Sequence, residues 1–279
     1  MQVIVQPDEG LLPILKAIKR AKKSLDIVIF RFDLPELEDA LAAAVERGVA
    51  VRALIAHTNR GGEKKLRKLE SRLLKCGATL SRTANDMVRY HGKVMIVDNK
   101  RAMVFGFNFT NLDIKKSRSL GLITLNPKIV SALTKLIDAD HNRVPPIITS
   151  SRLVVSPENA RDQLSAFIKG ARRELLIYDA NVSDDRIIAI LMQRAAAGVK
   201  VKILGSLEEK WKDTGVKVKP LRGLRLHVRA IVRDRKAAFV GSQSLRKLEL
   251  DKRREVGMIT KDRRTVGQIA GVFNSDWKA

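Results

Sequence analysis

Two short stretches carry the residues most able to do chemistry. YHGKVMIVDNK sets His91 two residues before Lys93 and seven before Asp98. LHVRAIVRDRK repeats the arrangement 136 residues later with His227, Arg229 and Asp234. A lone His at the entrance to an apolar strand is more often structural than catalytic. Two at equivalent places of a duplicated unit can face one cleft. Residues i and i+2 of a strand share a face, so each repeat would present an imidazole together with a cation. Two imidazoles and two cations suit a phosphodiester. One His attacks phosphorus and the other protonates the leaving oxygen, while the cations neutralise charge on the non-bridging oxygens.

The elements that must position these residues also occur twice. At an offset of 150, VQPDEGLLPILKAIKRAKKSLDIVIF from Val5 lies over VSPENARDQLSAFIKGARRELLIYDA from Val155. The offset falls to 136 by the two His motifs, so the second repeat is 14 residues shorter between the matched blocks. Each repeat reads as a short strand, a helix (residues 10–23 and 160–172) and an Ile/Val-rich strand (25–30 and 174–178). A second helix follows (35–47 and 184–197), stopped at Gly48 or Gly198, and then another strand. The last block is strand, polar turn, strand. This alternation predicts an α/β fold with helix-covered sheets. The missing residues fall around GGEKKLRKLESRLLKCG, which reads as a basic helix burying Leu66, Leu69, Leu73 and Leu74. Pro145 and Pro146 mark a linker, dividing the chain into residues 1–147 and 148–279.

Composition narrows the partners. A net charge of +24 on 279 residues attracts polyanions: nucleic acid, anionic membrane surfaces or phosphorylated substrates. Aromatic residues are only 4%, so base-stacking platforms are not evident. No apolar run is long enough to span a membrane, and the N-terminus lacks the pattern of a signal peptide. The single cysteine, Cys76, reads as a packed thiol and suits a reducing compartment. A cytoplasmic protein, free or peripheral to a membrane, is the expectation. No metal motif is present, and neither metal nor cofactor is expected.

The spacing His-x-Lys-x4-Asp, found twice in register, resembles the HKD signature of the phospholipase D superfamily. The likeness spans nearly the whole chain and lies nearest to bacterial phospholipase D-like and cardiolipin synthase-like proteins. It implies two similar α/β repeats packed with pseudo-two-fold symmetry and an active site between them. It implies catalytic roles for His91, Lys93, Asp98, His227, Arg229 and Asp234, with both Asp read as structural supports of the motif. The family's downstream Gly-Ser-x-Asn element is matched by Asn108 in the first repeat and by Gly241 and Ser242 in the second. Glu255 stands where the family has a Glu that supports a catalytic His. Four positions depart. Arg229 replaces Lys, Phe105-Gly106 stands for Gly-Ser, Ser244 replaces Asn, and Ser119 replaces the first repeat's Glu.

The resemblance implies a covalent phosphohistidine. His91 is the expected nucleophile, although the nearness of Glu255 to His227 in sequence argues for His227. The expected reaction is metal-independent hydrolysis or phosphatidyl transfer on an anionic phospholipid. A nuclease acting on DNA or RNA is the alternative, and a nucleic-acid or membrane-surface binder with slight turnover is the third reading. A duplicated chain completes its own site, so a monomer is expected.

Overall fold

The computed structural model describes residues 1–58, 63–208 and 215–279. The first repeat runs β1 (Gln2–Gln6), α1 (Leu12–Lys19), β2 (Ser24–Val28), α2 (Pro35–Glu46), β3 (Ala50–Ile55), α3 (Glu63–Lys75) and β4 (Thr79–Arg82). It continues through β5 (Arg89–Tyr90), β6 (Val94–Val97), β7 (Arg101–Phe105), α4 (Asn111–Lys115), β8 (Ser117–Thr124) and α5 (Pro127–Asn142). The second runs β9 (Leu153–Ser156), α6 (Ala160–Lys169), β10 (Glu174–Val182), α7 (Asp185–Ala196), β11 (Lys200–Leu207) and β12 (Lys217–Lys219). It ends with β13 (Arg225–Leu226), β14 (Ala230–Arg233), β15 (Ala237–Gly241), α8 (Lys247–Asp251), β16 (Arg253–Thr260) and α9 (Arg263–Lys278).

Each repeat builds one mixed sheet with the same strand order. The first is β1-β8-β7-β6-β2-β3-β4 and the second, read from the equivalent edge, is β9-β16-β15-β14-β10-β11-β12. The parallel pairs β2–β3 and β10–β11 need crossovers, which α2 and α7 supply. Both helices stop at a glycine in the left-handed region, Gly48 (φ +81°) and Gly198 (φ +82°). The expected α/β duplication is therefore what the chain forms.

Three large apolar cores and one small cluster, Phe30, Ala56 and Leu66, form among the described residues. One lies between the first sheet and α1, α2 and α3, and another between the second sheet and α6, α7 and α8. The third joins the inner faces of both sheets, with Val94, Ile96 and Val104 facing the same core as Leu176, Val232 and Val240. Helices α5 and α9 seal it through Leu133, Leu136, Ile269 and Phe273.

Several sequence expectations need adjustment. β10 runs on to Val182, because Leu207 of β11 still pairs with it past an irregularity after Asp179. In α3, Leu66, Leu69 and Leu73 are buried but Leu74 is 54% exposed, one step off the apolar stripe. Gly61 and Gly62, read with that helix, lie outside the described residues. α3 has no described counterpart between β11 and β12, which is where the second repeat is shorter. Cys76 is buried, and burial raises its thiol pKa.

Candidate active site

Each motif His enters the cleft on a strand borrowed by the opposite sheet. β5 belongs to the first repeat but pairs in parallel with β16. β13 belongs to the second repeat but pairs in parallel with β8. The pairing continues into the His backbones. His91 N–H donates to the Arg254 carbonyl at 2.8 Å, and His227 N–H to the Arg118 carbonyl at 3.1 Å. The chain then returns to its own sheet as β6 or β14. His91 to Lys93 and His227 to Arg229 lie in this crossing and not in a regular strand, which differs from the expected i, i+2 strand geometry.

The exchange reverses one expectation. Glu255, near His227 in sequence, contacts His91 instead. His91 Nδ1 lies 3.0 Å from both Glu255 carboxylate oxygens, across the boundary between repeats. The cause is the register of β16, which carries Glu255 directly after the residue that pairs with Tyr90. His227 takes its carboxylate from the first repeat, where the sequence offered only Ser119. Asp113 Oδ2 lies 3.2 Å from His227 Nδ1. Asp113 also receives the Asn108 backbone N–H and side-chain amide at 2.9 Å each, and Arg225 Nη1 at 2.7 Å. Burial opposes its ionised form, but His227 and Asn108 outweigh burial and hold the carboxyl well below its usual range. The sequence did contain a signal, because Asp113 lies over Glu249 at the 136-residue offset and both positions are acidic. Ser119 is fully buried, and its hydroxyl has no partner among the described residues.

The electrostatics of the two imidazoles differ. Burial drives His91 well below the ordinary histidine pKa, and Lys93, Arg89 and Arg229 push the same way. His227 is also lowered by burial, but Asp113 works against that shift. Glu255 is raised by burial despite Lys93. Burial thus favours the neutral form of His91, whose Nδ1 faces Glu255. His227 accepts a proton more readily.

Lys93 is completely buried, and its Nζ donates to the His91 carbonyl at 2.7 Å. Burial lowers its pKa to about 8. Arg229 acts electrostatically on His91, Lys93 and His227 alike, so these four motif residues lie within reach of one another's charge. Arg229 Nε is buried without a protein hydrogen-bond partner among the described residues. Asp179 also feels the Arg229 charge. It receives the Ser244 hydroxyl and the Leu245 N–H. The sequence carries one signal for this carboxylate, the acid that interrupts the apolar run ELLIYDA.

The motif Asp residues stand apart from this group. Asp98 and Asp234 follow β6 and β14 at the ends away from the His residues, in the left-handed region at φ +52°. Asp98 accepts the backbone N–H groups of Lys22, Lys23 and Ser24, and Asp234 those of Arg172, Arg173 and Glu174. Burial disfavours each charge, but these donors outweigh it and keep both carboxyls below their ordinary pKa.

The departures in the downstream element have a packing basis. A Cβ on Gly106 would sit 3.0 Å from the carbonyl oxygens of both Gly241 and Leu120, where the two repeats abut. A serine there has little room. Phe105 instead packs edge-on against Phe107 and Phe109. Ser242 Oγ accepts the Val256 N–H at 3.2 Å and also supports the Glu255 carboxylate. Ser244 N–H is held by Glu249 at 2.8 Å. Asn108, Ser242 and Ser244 therefore brace the cleft. Among the described residues no three His, Cys, Asp or Glu side chains converge as a metal site requires.

A family model described as cardiolipin synthase, PLD-like domain, matches residues 14–141 and 164–277. Polyphosphate kinase from Porphyromonas gingivalis has a similar fold, with a TM-score of 0.79 at 18% identity over 98% of this chain and 49% of that one. The chain thus spans about half the length of that kinase. Phosphatidylserine synthase from Haemophilus influenzae gives a TM-score of 0.73 at 9% identity over 98% of this chain and 85% of its own. Nuc, a phospholipase D family member from Salmonella typhimurium, is 27% identical over 53% of this chain and 97% of its own, with a TM-score of 0.45. No curated protein matches the sequence.

Proposed function

Because the chain belongs to the cardiolipin synthase, phospholipase D-like family, we propose that it cleaves and transfers phosphodiesters through a phosphohistidine. One observation carries this reading. Two imidazoles from opposite repeats, each backed by a carboxylate from the other, both feel the charges of Lys93 and Arg229. Neutral His91 attacks phosphorus through Nε2, forming a P–N bond as the P–O bond to the leaving group breaks. Protonated His227 gives its proton to the departing oxygen. Neutral His227 then takes a proton from water or an alcohol, whose oxygen attacks phosphorus and breaks the P–N bond. Lys93 and Arg229 neutralise the non-bridging oxygens as charge develops.

The family match supports an anionic phospholipid as substrate, with phosphatidyl transfer when the acceptor is an alcohol. The +24 charge supports a nucleic-acid backbone as the second reading. The test incubates the protein, with EDTA, with phosphatidylglycerol vesicles and separately with single-stranded DNA and RNA. A 32P-labelled substrate should leave an acid-labile, alkali-stable label on wild-type protein and none on His91→Ala. His91→Ala and His227→Ala should each lower turnover by roughly 10²- to 10⁴-fold. Label retained in His91→Ala would refute the assignment of the nucleophile.

A further inference from the structure

The first repeat carries a groove walled by α3, a helix with no counterpart among the described residues of the second. It has a volume of about 750 Å³ and lies between α3, the segment after β2 and the start of α4. It adjoins the active site through Phe30, whose ring meets His91 edge-on at 4.9 Å. α3 supplies Lys64, Lys68, Arg72 and Lys75 to its wall, at spacings of four, four and three residues. That spacing keeps them on one helix face, rising ~6 Å per four-residue step and ~16 Å in all. Arg72 is engaged by Glu38 at 3.4 Å. Lys64, Lys68 and Lys75 are exposed and have no carboxylate within ion-pair distance among the described residues. Arg31 adds a cation between the ladder and Phe30, stacked 5.7 Å over that ring. Asp33 is the one acidic residue among the described residues lining the groove.

We propose that this groove binds the backbone of a single-stranded nucleic acid and feeds its phosphodiesters to His91. The inference rests on the phosphodiester reading above, takes its nucleic-acid alternative, and names where the strand would bind. A row of cations at regular intervals complements a chain of regularly repeated charge. A phospholipid bears its phosphate at one end and would use one rung. A bilayer face is broad and cannot follow a concave groove beside a helix. The Arg31 guanidinium offers a surface for an unstacked base. Because α3 has no counterpart among the described residues of the second repeat, the strand would enter from the first repeat's side, giving the two-fold site a direction.

The test compares Lys64→Gln/Lys68→Gln/Lys75→Gln with Lys128→Gln/Lys135→Gln/Lys169→Gln, which removes the same charge from α5 and α6. Binding of a fluorescent 12-nucleotide DNA strand is titrated against salt in a His91→Ala/His227→Ala background, where no cleavage occurs. The α3 triple variant should bind at least ~10-fold more weakly at low salt, with a slope of log K against log salt shallower by ~2, as expected for three lost phosphate contacts at ~0.7 each. The α5/α6 variant should change much less. With intact histidines, the α3 variant should still turn over bis(p-nitrophenyl) phosphate like wild type, because that small diester does not reach the ladder. Equal losses in the two triple variants would overturn the groove, as would loss of phosphatidylglycerol-vesicle binding with DNA binding intact. Selective loss of DNA binding in a protein that cleaves nothing would keep the groove and refute the phosphodiesterase reading, so the two fail separately.

Discussion

Asp113 is the residue on which the second imidazole depends. It replaces a carboxylate that the aligned position, Ser119, cannot provide, and its Oδ2 lies 3.2 Å from His227 Nδ1. Asp113→Asn should lower kcat about 10²-fold or more, because a neutral amide neither fixes the tautomer nor stabilises the imidazolium. Adding Ser119→Glu should recover part of the loss, since Glu255 serves His91 from the equivalent position. No recovery, with the fold intact, would show that Asp113 acts otherwise. The pH profile follows from the same environment. Burial lowers both imidazoles, and the reaction needs one neutral and one protonated. The kcat/KM bell should therefore centre below the ordinary histidine value of about 6.5. In Asp113→Asn its basic limb should move to still lower pH, as His227 loses the charge that favours its protonation. A bell centred above pH 7 would contradict this. The histidines, Lys93 and Arg229 were legible because they repeat in register at one offset. The pairing of carboxylate with imidazole was not, because β5 and β13 cross between sheets and sequence proximity misleads wherever strands are exchanged.

The β-turns after β6 and β14 show why an invariant-looking motif residue need not touch substrate. Asp98 gathers three backbone N–H groups at the start of β2, and Asp234 does the same at β10. Each ties the turn of a hairpin to the next strand and so fixes where the preceding His emerges. Asp98→Ala should cost about 2–3 kcal/mol, the range for hydrogen bonds to a charged acceptor whose donors can partly reach water. Thermal unfolding would read this, while turnover per folded molecule should stay within a few-fold of wild type. A loss of 10²-fold in a fully folded variant would mean direct participation instead. Because the folded carboxyl lies below its ordinary value, this stabilisation is complete above the unfolded pKa of about 4 and is lost as pH falls through the folded pKa. The order of elements was readable from apolar periodicity and glycine stops, whereas their ends were not. β10 was read four residues short because Asp179 and Asn181 break its apolar pattern, while pairing with β11 carries it on to Val182.

At the scale of the whole molecule the repeats are interlocked as well as adjacent. Arg118 of the first binds the Gln6 carbonyl at 2.9 Å and Asp276 of α9 at 2.9 Å. Arg254 of the second binds the Ser156 carbonyl at 2.9 Å and Asp140 of α5 at 3.1 Å. Each arginine thus clamps the end of its repeat's first strand to the last helix of the other repeat, beside the borrowed strand that delivers a His. We propose residues 1–147 and 148–279 as the two units, and their separation makes a testable consequence. Residues 1–147 alone keep His91, Lys93 and Asp113 but lose Glu255, the Arg254 carbonyl and half of the shared core. A two-fold pair of such halves would meet His91 with Ser119 where Glu255 now stands. Residues 148–279 alone lose Asp113 and the Arg118 carbonyl that anchors His227. Neither half should turn over a chromogenic diester by itself. Mixing them should restore activity with a second-order dependence on their concentrations, because the site exists only where both are present. Wild-type turnover by residues 1–147 alone would show that one repeat holds a complete site and that the crossed carboxylates are dispensable.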